Sequence, residues 1–225
     1  MKSLSILLLA LAPFMAPAAH GHEAPSGVRA EARTAHYGPF RVVDGQRAVL
    51  AGVTDSLSAA RFAAMLRDHP GLRVLEMRDC PGTLDDLANL QLGRMIRAAG
   101  METHVPAGGS VRSGAVELFL AGVTRRIDDK AEFAVHAWVD EDGLEADDHA
   151  ADSPINRRYL AYYRDMGMTA QQAAGFYAMT NSVPFTGARW LTADEMRVWV
   201  ENGRDQPRAA AVPVLAYLDL GSALP

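Results

Sequence analysis

Short strand-like runs alternate with longer helical segments between residues 47 and 122, and this alternation restricts the possible folds more than any other sequence feature. Residues 47–53, 72–77 and 101–105 have the length typical of strands, and each segment carries apolar residues. Strands that are joined through helices lie parallel in a sheet, and their crossovers are right-handed. We therefore predict an α/β fold of βαβ units with a parallel sheet and flanking helices.

The helix predicted after the second of these strands covers residues 83–99 and ends at Gly100. Its apolar residues recur at helical spacing, so we expect them to face the core. They are Leu84, Leu87, Met95 and Ile96. Further helices are predicted at residues 154–166 and 169–179 and after Thr192, which forms a capping box with Glu195. A last strand is predicted at residues 212–218.

The first 21 residues have the parts of a secretory signal peptide. Lys2 supplies the positive charge, residues 4–15 form a short apolar run, and residues 16–21 offer small side chains for cleavage. The apolar run is too short to span a bilayer. An uncleaved anchor is the alternative interpretation.

These features divide the chain into a signal peptide at residues 1–21, a mobile segment at residues 22–34 and a single domain at residues 35–225. We expect a protein that is periplasmic or secreted after cleavage of the signal peptide. No later segment is long and apolar enough to span a membrane.

The composition argues against several other classes of function. The net charge of −5 comes without a basic stripe, so nothing indicates nucleic-acid binding. Cys80 is the only cysteine, which rules out an internal disulfide. The acidic residues between positions 140 and 152 lack the spacing of a calcium-binding loop and predict a solvated loop. We expect no metal and no cofactor.

A small-residue turn leads into an apolar helix at residues 108–122. Ser113 lies where the turn becomes a helix, and the backbone N–H groups of a first helical turn lack partners within the helix. Such groups can point at an anion or at a developing oxyanion. Ser113 is therefore a candidate nucleophile.

Two further segments complete a pattern of motifs. Residues 74–83 read as a strand, the tight turn Cys80-Pro81-Gly82-Thr83 and the start of a helix. Residues 132–138 read as a strand that carries His136. The order along the chain is a Pro-Gly turn, a serine turn and a histidine strand.

This order resembles the ClpP and crotonase-like superfamily. Cys80-Pro81-Gly82-Thr83 resembles its Ser-Pro-Gly-Gly turn, and Ser110-Val111-Arg112-Ser113-Gly114-Ala115 resembles its nucleophile turn. Val135-His136 resembles the catalytic histidine strand, and Trp190-Leu191-Thr192-Ala193-Asp194-Glu195 resembles the segment that opens the last conserved helix. The match covers about residues 47–202, and it is most similar to exported ClpP-like proteins of bacteria.

The resemblance implies a ClpP/crotonase-like spiral and acyl transfer by serine. Ser113 would attack a carbonyl carbon, and His136 would accept its proton. The N–H groups of Thr83 and Gly114 would form the oxyanion hole, with Gly82 shaping the turn. The substrate would be an extended peptide or protein segment, and the chain would form a homo-oligomer.

Two departures from the family pattern bear on activity. Thr83 stands where the family has a second glycine, which keeps the N–H group but not the backbone freedom. The triad aspartate would fall at Ala188, so the third member of the triad is unknown. Asn181 or Thr186 could orient the imidazole, and Asp140 or Asp142 could fold back to do so. They are the alternatives that the sequence leaves open.

Other interpretations of the same residues remain at this point. The chain could be a catalytically silent module that binds a peptide or a protein, with Ser113 as a small helix-start residue and His136 as a core histidine. A serine–lysine dyad would need Lys130, the only lysine beyond the signal peptide. An acyl-CoA enzyme of crotonase type is a third class, which export would separate from CoA. His36, His69 and His104 are predicted at the surface or in turns.

Overall fold

The structure, a computed structural model, describes residues 35–201. The predicted signal peptide at residues 1–21, the segment at residues 22–34 and the predicted strand at residues 212–218 lie outside the described residues. The strands are β1 (His36–Tyr37), β2 (Phe40–Val42), β3 (Arg47–Leu50), β4 (Val74–Met77), β5 (Asp79–Cys80), β6 (Glu102–Val105), β7 (Ser110–Arg112), β8 (Thr124–Ile127), β9 (Glu132–Val135) and β10 (Arg189–Thr192). The α-helices are α1 (Ser58–Asp68), α2 (Asp86–Ala98), α3 (Ala115–Leu120), α4 (Pro154–Asp165), α5 (Ala170–Thr180) and α6 (Ala193–Glu201).

The strands form two sheets. The larger sheet has the order β1-β2-β3-β4-β6-β8, with β3, β4, β6 and β8 parallel and the first two strands antiparallel. The smaller sheet has the order β10-β9-β7-β5, with β5, β7 and β9 parallel and β10 antiparallel. The antiparallel pairing of β2 with β3 closes the turn at residues 44–46.

The chain repeats one pattern as it moves across the two sheets. A strand of the larger sheet is followed directly by a strand of the smaller sheet and then by a helix: β4, β5 and α2, then β6, β7 and α3. Strands β8 and β9 begin the next turn of this spiral. The predicted α/β fold of βαβ units with a parallel sheet and flanking helices is confirmed.

Apolar side chains from the larger sheet and the helices form the core. Leu50, Leu75, Met77 and Val105 on neighbouring strands are fully buried and belong to one hydrophobic cluster. Helix α1 packs on α2, α2 packs on α3, and α4 pairs with α5. The tyrosines of α4 join this core. Within the described residues, none of the helices has the length and hydropathy that crossing a membrane requires.

Helix α2 begins three residues later than the sequence predicts, at Asp86. Thr83 pairs with Thr54 in an isolated parallel bridge, which keeps this stretch extended. The Asp85 side chain then caps the helix by accepting a hydrogen bond from the Ala88 N–H group at 3.0 Å. Leu84 and Leu87, expected in the core, are therefore 81% and 57% exposed.

His104 also differs from its prediction as a surface or turn residue. It lies in β6 and is buried. Its Nε2 is 3.0 Å from Asp128 Oδ2, and Arg126 contacts its Nδ1 at 2.8 Å. Polar partners on the neighbouring strand and loop allow an imidazole to be buried in this sheet.

Candidate active site

The candidate residues all follow strands of the smaller sheet. Gly82 and Thr83 follow β5, Ser113 and Gly114 follow β7, and His136 follows β9. These three strands are parallel neighbours, so their carboxyl ends meet at one edge of the sheet. Crevices at the carboxyl ends of parallel strands are the usual place for ligand binding in α/β folds. The structure brings the predicted residues together at such an edge.

Ser113 has a backbone conformation that is rare for a residue other than glycine, with φ of 50°. The conformation is fixed on both sides, because the Ser113 N–H group donates to Ala134 O at 2.8 Å and its carbonyl accepts from Val116 N–H at 2.8 Å. A left-handed conformation costs about 1–2 kcal/mol in a residue with a Cβ atom. Strain of this kind concentrates at functional sites, and a strained turn places the serine of many hydrolases at the surface of a pocket.

Gly82 packs directly against Ser113. A Cβ atom on Gly82 would lie 3.0 Å from Ser113 Cβ and 3.3 Å from Ser113 Oγ. The φ of Gly82 is 134°, a value that side chains disfavour. The Pro-Gly turn therefore needs glycine at this position, both for its backbone and for the space around the serine hydroxyl.

The backbone N–H groups of Thr83 and Gly114 are free to bind an anion. In the bridge with Thr54, the hydrogen bonds go through the neighbours of Thr83, from Thr54 N–H to Gly82 O at 3.0 Å and from Leu84 N–H to Thr54 O at 2.9 Å. The Thr83 N–H group faces away from that bridge. Within residues 35–201, neither this group nor the Gly114 N–H group donates to a protein acceptor.

Asn89 holds the two turns next to each other. Its Nδ2 donates to Gly114 O at 2.6 Å, and its Oδ1 accepts from the Thr54 hydroxyl at 3.0 Å. A Cβ atom on Gly114 would lie 2.6 Å from Thr83 Cγ2, so the turns are in close contact. This buried amide therefore positions both candidate oxyanion donors, and the sequence prediction did not include it.

His136 is oriented by the backbone. Its Nδ1 lies 2.8 Å from Ala137 O, and a carbonyl oxygen can only accept a hydrogen bond. The proton of a neutral ring is therefore on Nδ1, and Nε2 keeps the lone pair that a general base requires. The ring of Phe185 packs edge-on against the imidazole, with centroids 5.0 Å apart.

Ser113 and His136 line one cavity of about 630 Å³. This volume is within the range of ligand pockets, roughly 300–1,000 Å³. The cavity lies between the ends of the smaller sheet, the start of α2, α3 and the helices α4 and α5. Its lining includes Thr83, Leu84, Asp85, Asp86, Leu87, Asn89, Leu90, Ser113, Gly114, Glu117, Val135, His136, Trp138, Val139, Asp140, Glu141, Ile155, Tyr159, Tyr163, Tyr177, Thr180, Asn181 and Phe185.

None of the alternatives for the third triad member contacts His136 within the described part of the chain. Asn181 uses its Nδ2 to donate to Tyr177 O at 2.8 Å, and Asp140 uses its carboxylate to bind His149 and the turn that follows. Asp142 and Thr186 are exposed. Ala188, where the family aspartate would fall, is exposed as well.

The sequence pattern did not identify two carboxyl groups that line the cavity, Asp86 and Glu117. Asp86 Oδ2 accepts from the Tyr159 hydroxyl at 2.9 Å, and Glu117 Oε1 accepts from the Tyr163 hydroxyl at 2.8 Å. Glu117 lies in the first turn of α3, four residues after Ser113 in the sequence. Its place in the helix that follows the serine turn was the available signal for Glu117.

Burial changes the acidity of both groups. Loss of solvation raises the pKa of Glu117 to about 7, although the hydrogen bond from Tyr163 opposes the change. Burial raises the pKa of Asp86 too, while the Tyr159 hydroxyl and the positive charges of His136 and Arg158 oppose it. Asp86 is thus close enough to His136 to interact with its charge.

The comparisons with known proteins concern the fold. No protein-family model matches the chain, and no curated protein matches it by sequence. The chain is similar to two mutant structures of 1510-N, a membrane-bound stomatin-specific protease, and to a mutant of ClpP1 from Listeria monocytogenes.

Each of these three likenesses has 14% sequence identity. The 1510-N complex with a substrate peptide gives a TM-score of 0.45 over 68% of this chain and 72% of that chain. The second 1510-N structure gives 0.48 over 68% and 74%. The ClpP1 structure gives 0.48 over 70% and 88%.

Other candidate groups lie outside this cavity. Lys130, which a serine–lysine dyad would need, lines a separate groove with Trp190 and Arg197 and is not part of the Ser113 cavity. Burial raises the pKa of Cys80 to about 12, so its thiol is a poor nucleophile. In the described ranges, no group of three or more His, Cys, Asp or Glu side chains is arranged to hold a metal ion.

Proposed function

We propose that the chain is an exported serine hydrolase that cleaves peptide bonds, with Ser113 as nucleophile and His136 as general base. One observation carries the proposal. Ser113 is held at φ 50° beside two unpaired N–H groups, in a cavity that it shares with a histidine whose Nδ1 is hydrogen bonded. Nothing in the packing of the fold requires this combination.

The chemistry follows from the roles of these groups. Ser113 Oγ attacks the carbonyl carbon of the scissile bond, and Nε2 of His136 takes the hydroxyl proton. The carbonyl oxygen becomes an oxyanion that the N–H groups of Thr83 and Gly114 stabilise, each donor contributing about 3 kcal/mol. His136 then protonates the leaving amine as the C–N bond breaks. Water releases the acyl group from Ser113 by the same steps in reverse.

The backbone carbonyl of Ala137 takes over part of the role of a triad aspartate. It orients the imidazole and fixes the proton on Nδ1, as a carboxylate would. It carries no negative charge, so it stabilises the imidazolium less than a carboxylate does. Loss of the aspartate lowers the rate by about four orders of magnitude in a well-studied triad. We therefore expect a slow enzyme.

The rim of the cavity suits a polypeptide substrate. Leu84 and Leu87 are apolar, exposed and part of the cavity lining. Exposed apolar residues beside a cavity are typical of a surface that a partner or substrate covers. Among the solved structures similar to the chain, 1510-N is a protease that binds a substrate peptide.

Labelling by a fluorophosphonate, followed by mass spectrometry, tests the proposal. The reagent phosphonylates an activated serine, and we expect the modification on Ser113. Ser110→Ala is the matched control, since Ser110 precedes the same turn and its hydroxyl accepts from Arg112 at 2.6 Å. Labelling should persist in Ser110→Ala and disappear in Ser113→Ala. Modification of another serine, or none in the wild-type chain, would contradict the proposal.

The second candidate function is a catalytically silent module that binds a peptide. The observation in its favour is that no carboxylate contacts His136 within residues 35–201. It predicts that peptides bind to the cavity while Ser113 resists the fluorophosphonate. The labelling experiment therefore separates the two functions.

Export and self-association remain proposals that rest on the sequence. The predicted signal peptide motivates the first, and detection of the chain only in the cytosolic fraction of a bacterial host would contradict it. The family resemblance motivates the second, since closed symmetric assemblies are the common form of oligomers. Light scattering that shows only a monomer of the mature chain at micromolar concentration would count against it.

A further inference from the structure

The cavity beside Ser113 is acidic. Its lining contains five carboxylate residues and, among the residues described, no lysine or arginine. The five are Asp85, Asp86, Glu117, Asp140 and Glu141. Arg158 is near enough to Asp86 to favour its ionised form, yet it does not line the cavity. A low-dielectric site lined by one sign of charge concentrates ligands of the opposite sign.

The unused polar groups of the cavity include both donors and acceptors. The donors are the N–H groups of Thr83 and Gly114 next to the serine. The Asp86 carboxylate is an acceptor, because it can accept about four hydrogen bonds and Tyr159 supplies one.

Aromatic rings complete the wall. Trp138 stacks on Tyr159 with centroids 6.1 Å apart, and Tyr159 stacks on Tyr177 at 6.0 Å. Tyr177 is held in place by its hydroxyl, which accepts from Trp138 Nε1 at 2.7 Å. The faces of such rings attract a guanidinium or ammonium group in addition to the carboxylates.

We propose that the cavity binds a cationic side chain, arginine or lysine, on the acyl side of the bond that Ser113 attacks. The inference rests on the proposed function. A guanidinium has five donors and no acceptor, so it complements the carboxylates of the cavity. The peptide carbonyl oxygen of the same residue complements the N–H groups of Thr83 and Gly114.

A matched pair of fluorogenic peptides tests the preference. The two differ only in the residue before the cleaved bond, which is arginine in one and citrulline, its neutral isostere, in the other. We expect kcat/KM to be at least about tenfold higher for the arginine peptide, because a charge-assisted hydrogen bond is about twice as strong as a neutral one. Equal rates, or faster cleavage of the citrulline peptide, would overturn the inference.

Isosteric variants connect the preference to particular carboxylates. Glu117→Gln and Asp86→Asn should each reduce cleavage of the arginine peptide several-fold more than cleavage of the citrulline peptide. Asp152→Asn is the control, since Asp152 is exposed and outside the cavity. A loss of similar size on both peptides would indicate a general defect and would contradict the role of these carboxylates in specificity.

Binding to the Ser113→Ala variant keeps this inference separate from the proposed hydrolysis. Calorimetric titration compares benzamidine, an aromatic cation, with the neutral isostere benzamide. We expect benzamidine to bind at least about tenfold more tightly, and Glu117→Gln in the same background to remove the difference. Equal affinities, or no binding of either probe, would overturn the inference. Tight benzamidine binding by a chain whose Ser113 resists fluorophosphonate would support it and reject only the hydrolase.

Discussion

The larger sheet of the molecule forms much of the core, whereas the smaller sheet positions the candidate active site. The larger sheet has four parallel strands of four residues each, and their side chains form much of the core. The parallel strands of the smaller sheet are two to four residues long, yet each is followed by a candidate site residue. Burial of the side chains on its longer strands stabilises the larger sheet. The smaller sheet supplies three strand ends that point into one cavity.

This difference teaches that stability and reactivity are separable in the chain. A change in the core of the larger sheet should alter the free energy of unfolding and leave the chemistry of each folded molecule intact. A change at the strand ends of the smaller sheet should alter the chemistry and leave the free energy of unfolding nearly unchanged. Strained residues at these strand ends should even lower the stability of the folded chain.

The largest expected effect is the loss of peptide hydrolysis in the Ser113→Ala variant. Removal of the nucleophile should lower kcat/KM for a cleaved peptide at least roughly a thousandfold, equivalent to about 4 kcal/mol in the barrier. The midpoint of chemical unfolding should stay within error of the wild type, because alanine keeps the Cβ atom. Residual hydrolysis at the wild-type rate would place the activity elsewhere.

Leu75→Ala should produce the opposite pattern. Leu75 lies in β4 of the larger sheet and is fully buried. Loss of its side chain leaves a cavity, and such changes cost about 2–5 kcal/mol in unfolding free energy. The rate of fluorophosphonate labelling per folded molecule should not change, and a parallel loss of that rate would break the proposed separation of the sheets.

Glu117 should make stability depend on pH near neutrality. Its pKa is about 7 in the folded chain against 4.5 for an ordinary glutamate, so the folded state holds the proton more tightly. Stability is then greatest at acid pH within this window and falls as pH rises from 4.5 through about 7, by up to roughly 3 kcal/mol.

Urea unfolding at pH 5.5 and pH 8.0 measures this effect, with Glu117→Gln as the comparison. The variant keeps an acceptor for Tyr163 but cannot ionise, so it should lose less stability between the two pH values than the wild type. An identical pH dependence in both proteins would show that Glu117 does not titrate as described.

Two residues other than glycine have positive φ values among those described, Ser113 at 50° and Lys130 at 68°. Glycine relieves such strain, so Ser113→Gly and Lys130→Gly should each raise the unfolding free energy by about 1 kcal/mol. Only Ser113→Gly should abolish labelling. Loss of labelling in Lys130→Gly as well would revive a role for the lysine.

Much of the larger sheet could be predicted from the sequence. Its strands β4 and β6 carry polar residues in their sequences, so their length and their alternation with helices were the signals that predicted them. The order of the motifs also placed Gly82, Ser113 and His136 at neighbouring strand ends. The reason is that parallel strands in sequential order have adjacent carboxyl ends.

Other features depend on contacts between distant segments. Strand β7 is only three residues long and follows a glycine pair, so Ser110–Arg112 read as a turn. The start of α2 is set by the pairing of Thr83 with Thr54, which no local propensity reveals. Glu117 reads as a solvated carboxylate because charged residues are rarely buried. Only Tyr159 and Tyr163 of α4 show how Asp86 and Glu117 are held at this cavity.

The rate of Ser113 phosphonylation in His136→Ala tests the central claim most directly. A general base contributes about 10²–10⁴-fold, so the second-order labelling rate should fall at least about a hundredfold relative to the wild type. His36→Ala is the control, because His36 is exposed in β1, and its rate should equal that of the wild type. An unchanged labelling rate in His136→Ala would contradict the account and leave Ser113 activated by another group.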